Sequence, residues 1–171
     1  MISVAGASTP NAVGLVYVAA FALDEGRGVQ RDLRPVRRHA HPRRGPAERV
    51  PGRRREDCTE LTIAPELYRE AFAADLPEDD IRVLAVRQRP FAAIFEDRAE
   101  AAARKSLPSW YVVATGDNAI PAGKRAPHGE SMGAKTIEVD ASRSIARSQP
   151  AAVSELIRTA VDESSAVRAA S

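Results

Sequence analysis

The sequence contains a single cysteine, few aromatic residues and no long apolar run. Cys58 cannot form an internal disulfide or a cysteine-rich metal cluster, which agrees with a reducing compartment. The longest apolar run, residues 12–23, is interrupted by Gly14 and is shorter than the roughly 20 residues that a membrane-spanning helix needs. No charged region with a cleavage site precedes this run, so we expect no signal peptide and a cytoplasmic protein.

The composition is that of a globular chain with an uneven charge. Its 171 residues, 44% of them hydrophobic, are enough for one domain with a buried core. The net charge is +2, but Arg27 to Arg55 holds eleven arginines against Asp32 and Glu48. This stretch therefore carries +9 and the remaining residues carry −7.

Residues 27–58 form an Arg/Pro-rich segment with almost no large apolar side chains, and we expect it to be disordered. Three interpretations remain open. The segment could bind nucleic acid or another polyanion, it could be a solvated linker, or it could be translated out of frame, since GC-rich DNA read in a wrong frame yields Arg, Pro, Gly and Ala. It has no aromatic residue to stack on bases and no helical periodicity, so nucleic-acid binding is the less favoured function.

Three segments have the pattern of strands in a parallel sheet. Residues 15–20 and 109–115 are continuous apolar runs rich in β-branched and aromatic residues, and residues 135–139 alternate. We expect them to lie side by side in chain order, joined by right-handed crossovers. The first strand, which follows the end of a helix within residues 1–26, would then be an unpaired edge and a site of self-association.

Residues 59–106 have the pattern of a helical region. Helices are predicted for Pro65 to Ala74, from Pro77 to about Arg89, and from Glu96 to Lys105. They fit either a cap inserted in an α/β sheet or three ordinary surface helices. Residues 107–171 then form a C-terminal α/β part that ends in a helix from Ala151 to about Asp162, followed by a fraying tail.

Three separated segments carry a resemblance to a known family: L-V-Y-V-A-A-F-A-L-D-E-G, L-P-S-W-Y-V-V-A-T-G-D-N-A-I and M-G-A-K-T-I-E-V-D-A-S. Their order resembles the C-terminal half of the α/β-hydrolase fold, and more narrowly the cofactor-free serine hydrolase and esterase branch. The resemblance covers residues 1–26, 60–121 and 132–160. It implies a partial α/β-hydrolase fold, with about three parallel strands and a helical cap-like insertion. It also implies small-molecule ester substrates in intact relatives, and neither a cofactor nor a metal.

Enzymes of this family use a serine nucleophile, an acid and a histidine base, in that chain order. Asp117 matches the acid, on the loop after its strand; alternatively, it is a turn aspartate whose side chain caps the following helix. At the position of the histidine, where relatives read D-A-S-H, this sequence has Arg143. A guanidinium keeps its proton at neutral pH and cannot act as the base.

The resemblance places the nucleophile upstream of Met1, so we expect an N-terminally truncated and inactive hydrolase. A formal G-x-S-x-G occurs at Gly129–Gly133, with Ser131 at its centre. It follows the acid and precedes a strand instead of a helix, so we interpret it as a chance match. His128 also precedes that strand and is a poor substitute base. The small and basic segment 122–130 fits either a second frame slip or natural drift.

Binding to a random DNA duplex at rising salt separates the two functional classes. A protein that binds polyanions through 27–55 would lose about 10³- to 10⁵-fold in affinity between 50 and 200 mM salt. It would also lose binding when that segment is deleted. We expect neither effect in fluorescence-anisotropy titrations of the intact chain and of the chain without 27–55, and observing both would favour the polyanion-binding class.

Overall fold

The computed structural model describes residues 2–28, 62–89, 98–120 and 133–169. The arginine-rich segment, apart from Arg27 and Gly28, lies outside these ranges, as do His128 and Ser131. The described strands are β1 Leu15–Val18, β2 Ser109–Ala114 and β3 Lys135–Val139. The described helices are α1 Ile2–Ala7, α2 Pro65–Phe72, α3 Glu78–Val86, α4 Ile145–Ser148 and α5 Pro150–Ala169, with a 3₁₀ turn at Ala103–Lys105.

The three strands form one parallel sheet in the order β1-β2-β3, as predicted. Leu15 faces Ser109 across the first pair, and Trp110 faces Lys135 across the second. Every residue of β2 is buried, because the central strand of a parallel sheet is covered on both faces, and this explains its unbroken apolar sequence. β1 ends two residues before its predicted end, where Ala19 adopts a positive φ of 40°.

Helices cover both faces of the sheet. On one face α5 packs against β2. The apolar cluster between them and the adjoining loops contains the buried residues Ala19, Trp110, Val112, Ala114, Ala141, Ile145, Val153, Leu156 and Ala160. On the other face α1 and the 3₁₀ turn cover Tyr17 and Tyr111, whose rings meet edge to face at 6.3 Å. The Tyr17 hydroxyl is buried within hydrogen-bond distance, 3.0 Å, of the Ser3 hydroxyl.

The first two predicted cap helices are present as α2 and α3, which pack against each other. α2 begins at Pro65, where a missing N–H costs nothing, and α3 follows Pro77 with three carboxylates in its first turn. The Gln88 side chain accepts a hydrogen bond from the Ile63 amide and donates one to the Ile63 carbonyl. The two helices enclose a small core of Ile63, Tyr68, Ala71, Ala73, Leu76, Ile81 and Ala85.

The third predicted helix, from Glu96 to Lys105, is wrong over most of its length. In its described part only Ala103–Lys105 is helical, and as a 3₁₀ turn. The preceding residues instead pair with the segment after β1: the Gly26 amide donates to the Ala99 carbonyl at 2.8 Å, and the Ala99 amide to the Arg27 carbonyl at 2.9 Å. These distant backbone partners override the helix propensity of an alanine-rich stretch.

The tail predicted to fray is helical instead, since α5 continues to Ala169. Glu163 holds it to the sheet, because its carboxylate accepts a hydrogen bond from the Trp110 indole at 2.9 Å and pairs with the Lys135 ammonium at 2.6 Å. Ser164 is buried beside them. Contacts made by the first two residues beyond the predicted end therefore stabilise the last turns.

None of the helices in the described ranges is both long and apolar enough to cross a membrane. Over the same part of the chain, no three His, Cys, Asp or Glu side chains are grouped closely enough to hold a metal ion.

Gly14 allows the sheet and α5 to approach closely at the start of β1. A methyl group there would lie 2.7 Å from Cζ3 of buried Trp110 and 3.2 Å from the Ser164 hydroxyl. We expect Gly14→Ala to lower the free energy of unfolding by about 1–3 kcal/mol in urea denaturation, because the core is overpacked. The neighbouring control Val13→Ala, on a side chain that is 42% exposed, should change it by about 0.5 kcal/mol or less. Equal effects of the two substitutions would contradict this explanation.

Candidate functional site

The carboxyl ends of β2 and β3 bring two loops together. The Thr115 amide donates to the Val139 carbonyl at 2.9 Å, and the Gly116 amide to the Ala141 carbonyl at 3.0 Å. A Cβ on Gly116 would lie only 3.0 Å from that carbonyl oxygen, so this approach favours glycine. Open α/β sheets place their working groups at this edge, where both sequence-predicted positions, Asp117 and Arg143, are found.

Asp117 is 1% exposed and its two carboxylate oxygens have different partners. Oδ1 accepts hydrogen bonds from the amides of Ala119 at 2.8 Å and Ile120 at 3.1 Å. This is the pattern of an aspartate that stabilises its own turn. The alternative role weighed from the sequence is therefore partly present, with a turn in place of a helix cap over residues 118–120.

The second oxygen of Asp117 pairs with Arg143. Nη1 of Arg143 donates to Oδ2 at 3.1 Å, and the arginine side chain is 20% exposed. The guanidinium carbon also lies 5.8 Å from the ring centre of Phe21 and 5.6 Å from that of Phe72, within the range of cation–π attraction. The structure thus brings together Asp117, which the resemblance matches to the acid, and Arg143, which it matches to the histidine position, as an ion pair between two aromatic rings.

The loop that carries Arg143 is bound to the end of α2. The Phe72 carbonyl accepts hydrogen bonds from the Ser142 hydroxyl at 3.2 Å, the Ser144 hydroxyl at 2.8 Å and the Ser144 amide at 3.1 Å. Such a carbonyl at a helix end has no partner within its own helix. Next to it, the Ser142 amide donates to Oδ2 of Asp75 at 2.9 Å. The loop therefore satisfies the end of α2 and fixes its position beside Arg143.

Two further contacts join the helical pair to the loops. Arg147, in α4, forms an ion pair with Asp80 of α3 at 2.7 Å. The Asn118 side chain, next to Asp117, donates to the Glu70 carbonyl of α2 at 3.0 Å. Both loops at the sheet edge are thereby attached to α2 and α3.

The site holds a carboxylate paired with a guanidinium, and at the position matched to the histidine it has no group that can accept a proton. An imidazole beside Asp117 could take a proton from a hydroxyl, whereas a guanidinium is already fully protonated and has no acceptor atom. An open groove of about 700 Å³ lies elsewhere, on α2 and α3, and its lining includes neither Asp117 nor Arg143.

Sequence reasoning found Asp117 and Arg143 but missed the residues that surround them. Phe21, Phe72 and Asp75 each lie far from Arg143 in the chain, and no local pattern indicates that they contact its loop. The serines of A-S-R-S are the one local signal, because hydroxyls on both sides of an arginine suit the binding of a helix end. Ser131 and His128 lie outside the described residues.

The fold is similar to that of solved esterases. Polyneuridine aldehyde esterase matches with a TM-score of 0.69 and 16% identity, over 95% of this chain and 67% of the esterase. The methylesterase MES16 from Arabidopsis matches with a TM-score of 0.61 and 20% identity, over 92% of this chain and 66% of its own. A histidine-to-alanine variant of PytH matches with a TM-score of 0.63 and 18% identity, over 94% and 65%.

These neighbours have the α/β-hydrolase fold, and this chain has a partial form of it, with three parallel strands and helices. The chain spans about two thirds of the length of the structures it matches. No protein-family model matches the sequence. No curated protein matches it either.

The ion pair can be tested by stability, because Asp117 is buried. We expect Arg143→Ala to lower the free energy of unfolding by about 2–5 kcal/mol at pH 7, since it leaves a buried carboxylate without its cation. Arg147→Ala, which removes a half-exposed pair in the same region, should cost about 0–1 kcal/mol. Urea denaturation measures both.

Adding Asp117→Asn to Arg143→Ala should recover part of the loss, because asparagine keeps the Oδ1 acceptor of the turn and removes the unpaired charge. A double variant less stable than Arg143→Ala alone would contradict the importance of the pair.

Asp75 makes stability depend on pH. Partial desolvation alone would raise the pKa of its carboxyl, but the hydrogen bonds that the carboxylate accepts, those from Ser142 foremost, together outweigh it and hold that pKa below its ordinary value. The carboxylate therefore stabilises the fold above its unfolded pKa of about 3.9, and this contribution is lost as the pH falls through the lower, folded pKa.

We expect Asp75→Asn to reduce the loss of stability between pH 6 and pH 3, measured by denaturation at a series of pH values. Asp79→Asn, on another exposed carboxylate, in α3 and away from the Ser142 amide, is the matched control. The same pH dependence in both variants would show that Asp75 does not carry this effect.

Proposed function

We propose that this chain is an α/β-hydrolase-fold protein related to small-molecule ester and acyl hydrolases, and that it does not hydrolyse esters by the triad mechanism. Asp117 stands in the position of the acid, and Arg143 takes the place of the histidine base. The observation that carries the proposal is the 3.1 Å ion pair between these two side chains.

In a working triad the acid accepts an N–H from the imidazole, which then takes the proton of the serine hydroxyl. In this chain both oxygens of Asp117 already have partners, the turn amides on Oδ1 and the Arg143 guanidinium on Oδ2. Arg143 also lies between Phe21 and Phe72, so its position is fixed from several sides. Asp117 in this setting has a structural role, that of fixing two loops at the sheet edge.

The relation to ester hydrolases rests on the resemblance of three sequence segments and on a fold shared with solved esterases. At 15–20% identity and about two thirds of their length, that likeness concerns the fold. The relation to ester hydrolases and the absence of triad activity are proposed from the sequence motifs and the site. A small-molecule ester as the substrate of intact relatives, and a cytoplasmic location, belong to the same proposal.

Hydrolysis of p-nitrophenyl acetate and labelling by a serine-directed fluorophosphonate test the proposal on the purified chain. We expect neither turnover above background nor labelling, because loss of a triad member costs about 10⁴-fold or more in rate. We expect Arg143→His to restore neither, because the resemblance matches no serine of this sequence to the nucleophile. Arg147→His, in the same region but outside the ion pair, is the matched control.

Labelling at Ser131 that disappears in Asp117→Asn or His128→Ala would overturn the proposal, since it would make G-E-S-M-G a true nucleophile site. Turnover in Arg143→His but not in Arg147→His would show that the chain contains a nucleophile and would contradict the expectation for Arg143→His.

A further inference from the structure

The two edges of the sheet differ in how they are protected. The outer strand β3 carries exposed Lys135 and Glu138, and charged side chains are a common means of preventing strand addition. The other edge, β1, reads L-V-Y-V and has no charge, proline or glycine. Over the described part of the chain no strand pairs with its outer side. β1 is therefore an apolar edge without the usual protection.

The backbone of β1 offers hydrogen-bonding groups on that outer side. The amides of Leu15 and Ala19 donate to β2 carbonyls, each at 3.0 Å. Because successive residues of a strand alternate in direction, the amides and carbonyls of Val16 and Val18 point away from β2. The side chains of these two valines are partly buried, on the face that α5 covers.

Exposed apolar residues of α5 flank the same edge. Successive residues of an α-helix are rotated by about 100° around its axis. Leu156 and Ala160 of α5 face the sheet. Glu163 lies on the flank toward β3, where it pairs with Lys135. Ile157 and Val161 lie on the opposite flank, toward β1, and are 46% and 58% exposed. Helical spacing therefore places Ile157 and Val161 on the side of α5 nearer the apolar edge of β1.

We propose that the surface formed by Val16, Val18, Ile157 and Val161 binds a second copy of the chain. The two β1 strands pair antiparallel about a two-fold axis at Tyr17, so that Val16 of one copy faces Val18 of the other. Each such pair exchanges two backbone hydrogen bonds, and the three-stranded sheets join into one sheet of six strands. The two α5 helices then lie on the same face, with Ile157 and Val161 of each turned toward the other.

The surface suits a second copy because it is self-complementary. In a two-fold interface the same patch meets itself, so a charge near the axis would meet a like charge. β1 has none, and on α5 the nearby Arg158 pairs with Glu155 at 3.9 Å, away from the sheet. The outward groups of Val16 and Val18 are spaced symmetrically about Tyr17, as antiparallel pairing of a strand with itself requires.

Sedimentation velocity in reducing buffer, which keeps Cys58 from forming disulfides, tests the proposal on the intact chain. The ladder is short and the apolar patch is small, so we expect a weak dimer that forms between about 1 and 100 µM. Val161→Lys brings like charges together at the axis and should weaken dimerisation about tenfold or more. The same change at two exposed apolar residues elsewhere, Val86→Lys on α3 and Ile137→Lys on β3, should leave it unchanged.

Amide hydrogen exchange identifies the interface directly. On raising the concentration through the dimerisation range, exchange should slow at Val16 and Val18 and stay unchanged in β3. A chain that stays monomeric at 100 µM would overturn the proposal. So would a dimer that Val86→Lys or Ile137→Lys disrupts as strongly as Val161→Lys, or one in which the Val16 and Val18 amides gain no protection.

Discussion

The ion pair between Asp117 and Arg143 is the interaction on which the loops at the carboxyl ends of the strands depend. Each partner closes a different loop, one after β2 and the other after β3, and the buried carboxylate would be costly without its cation. Phe21, just beyond β1, and Phe72, at the end of α2, lie against the guanidinium. Elements from four parts of the chain therefore meet at a single pair of charges.

The same region shows how α2 and α3 are bound to the loops after β2 and β3. The Phe72 carbonyl, at the end of α2, accepts three hydrogen bonds from the loop that carries Arg143. Asp75 and Asp80 add two more contacts to the same loop and to α4. α2 and α3 are thus fixed to both loops at the sheet edge by several hydrogen bonds and an ion pair.

The sequence predicts the parts of this structure that depend on local patterns. Continuous apolar runs predict β1 and β2, and alternation of apolar and polar residues predicts β3, because burial leaves a periodic signal. Proline at a helix start predicts α2. The position of Asp117 at the end of β2 follows in the same way. Its pairing with a residue 26 positions away does not, since nothing local determines which distant side chain a buried carboxylate meets.

The two wrong predictions have the same cause. The stretch before the 3₁₀ turn has an alanine-rich, helix-like sequence, yet its backbone pairs with Gly26 and Arg27, more than 70 residues earlier. The last turns of α5 have a small and polar sequence that is typical of a frayed end, yet Glu163 holds them to the sheet. In both places a long-range contact decides a structure for which local propensity favours another.

The hydrogen bond between Trp110 and Glu163 has a spectroscopic consequence. Trp110 is the only tryptophan in the sequence, it is buried in the central strand, and its indole N–H points to a carboxylate on the terminal helix. The pKa of Glu163 is held below its ordinary value by the Lys135 ammonium and then by this indole, so the carboxylate stays charged beside the ring at neutral pH. The intrinsic fluorescence of the chain is therefore a natural optical reporter of whether its last helix is docked on the sheet.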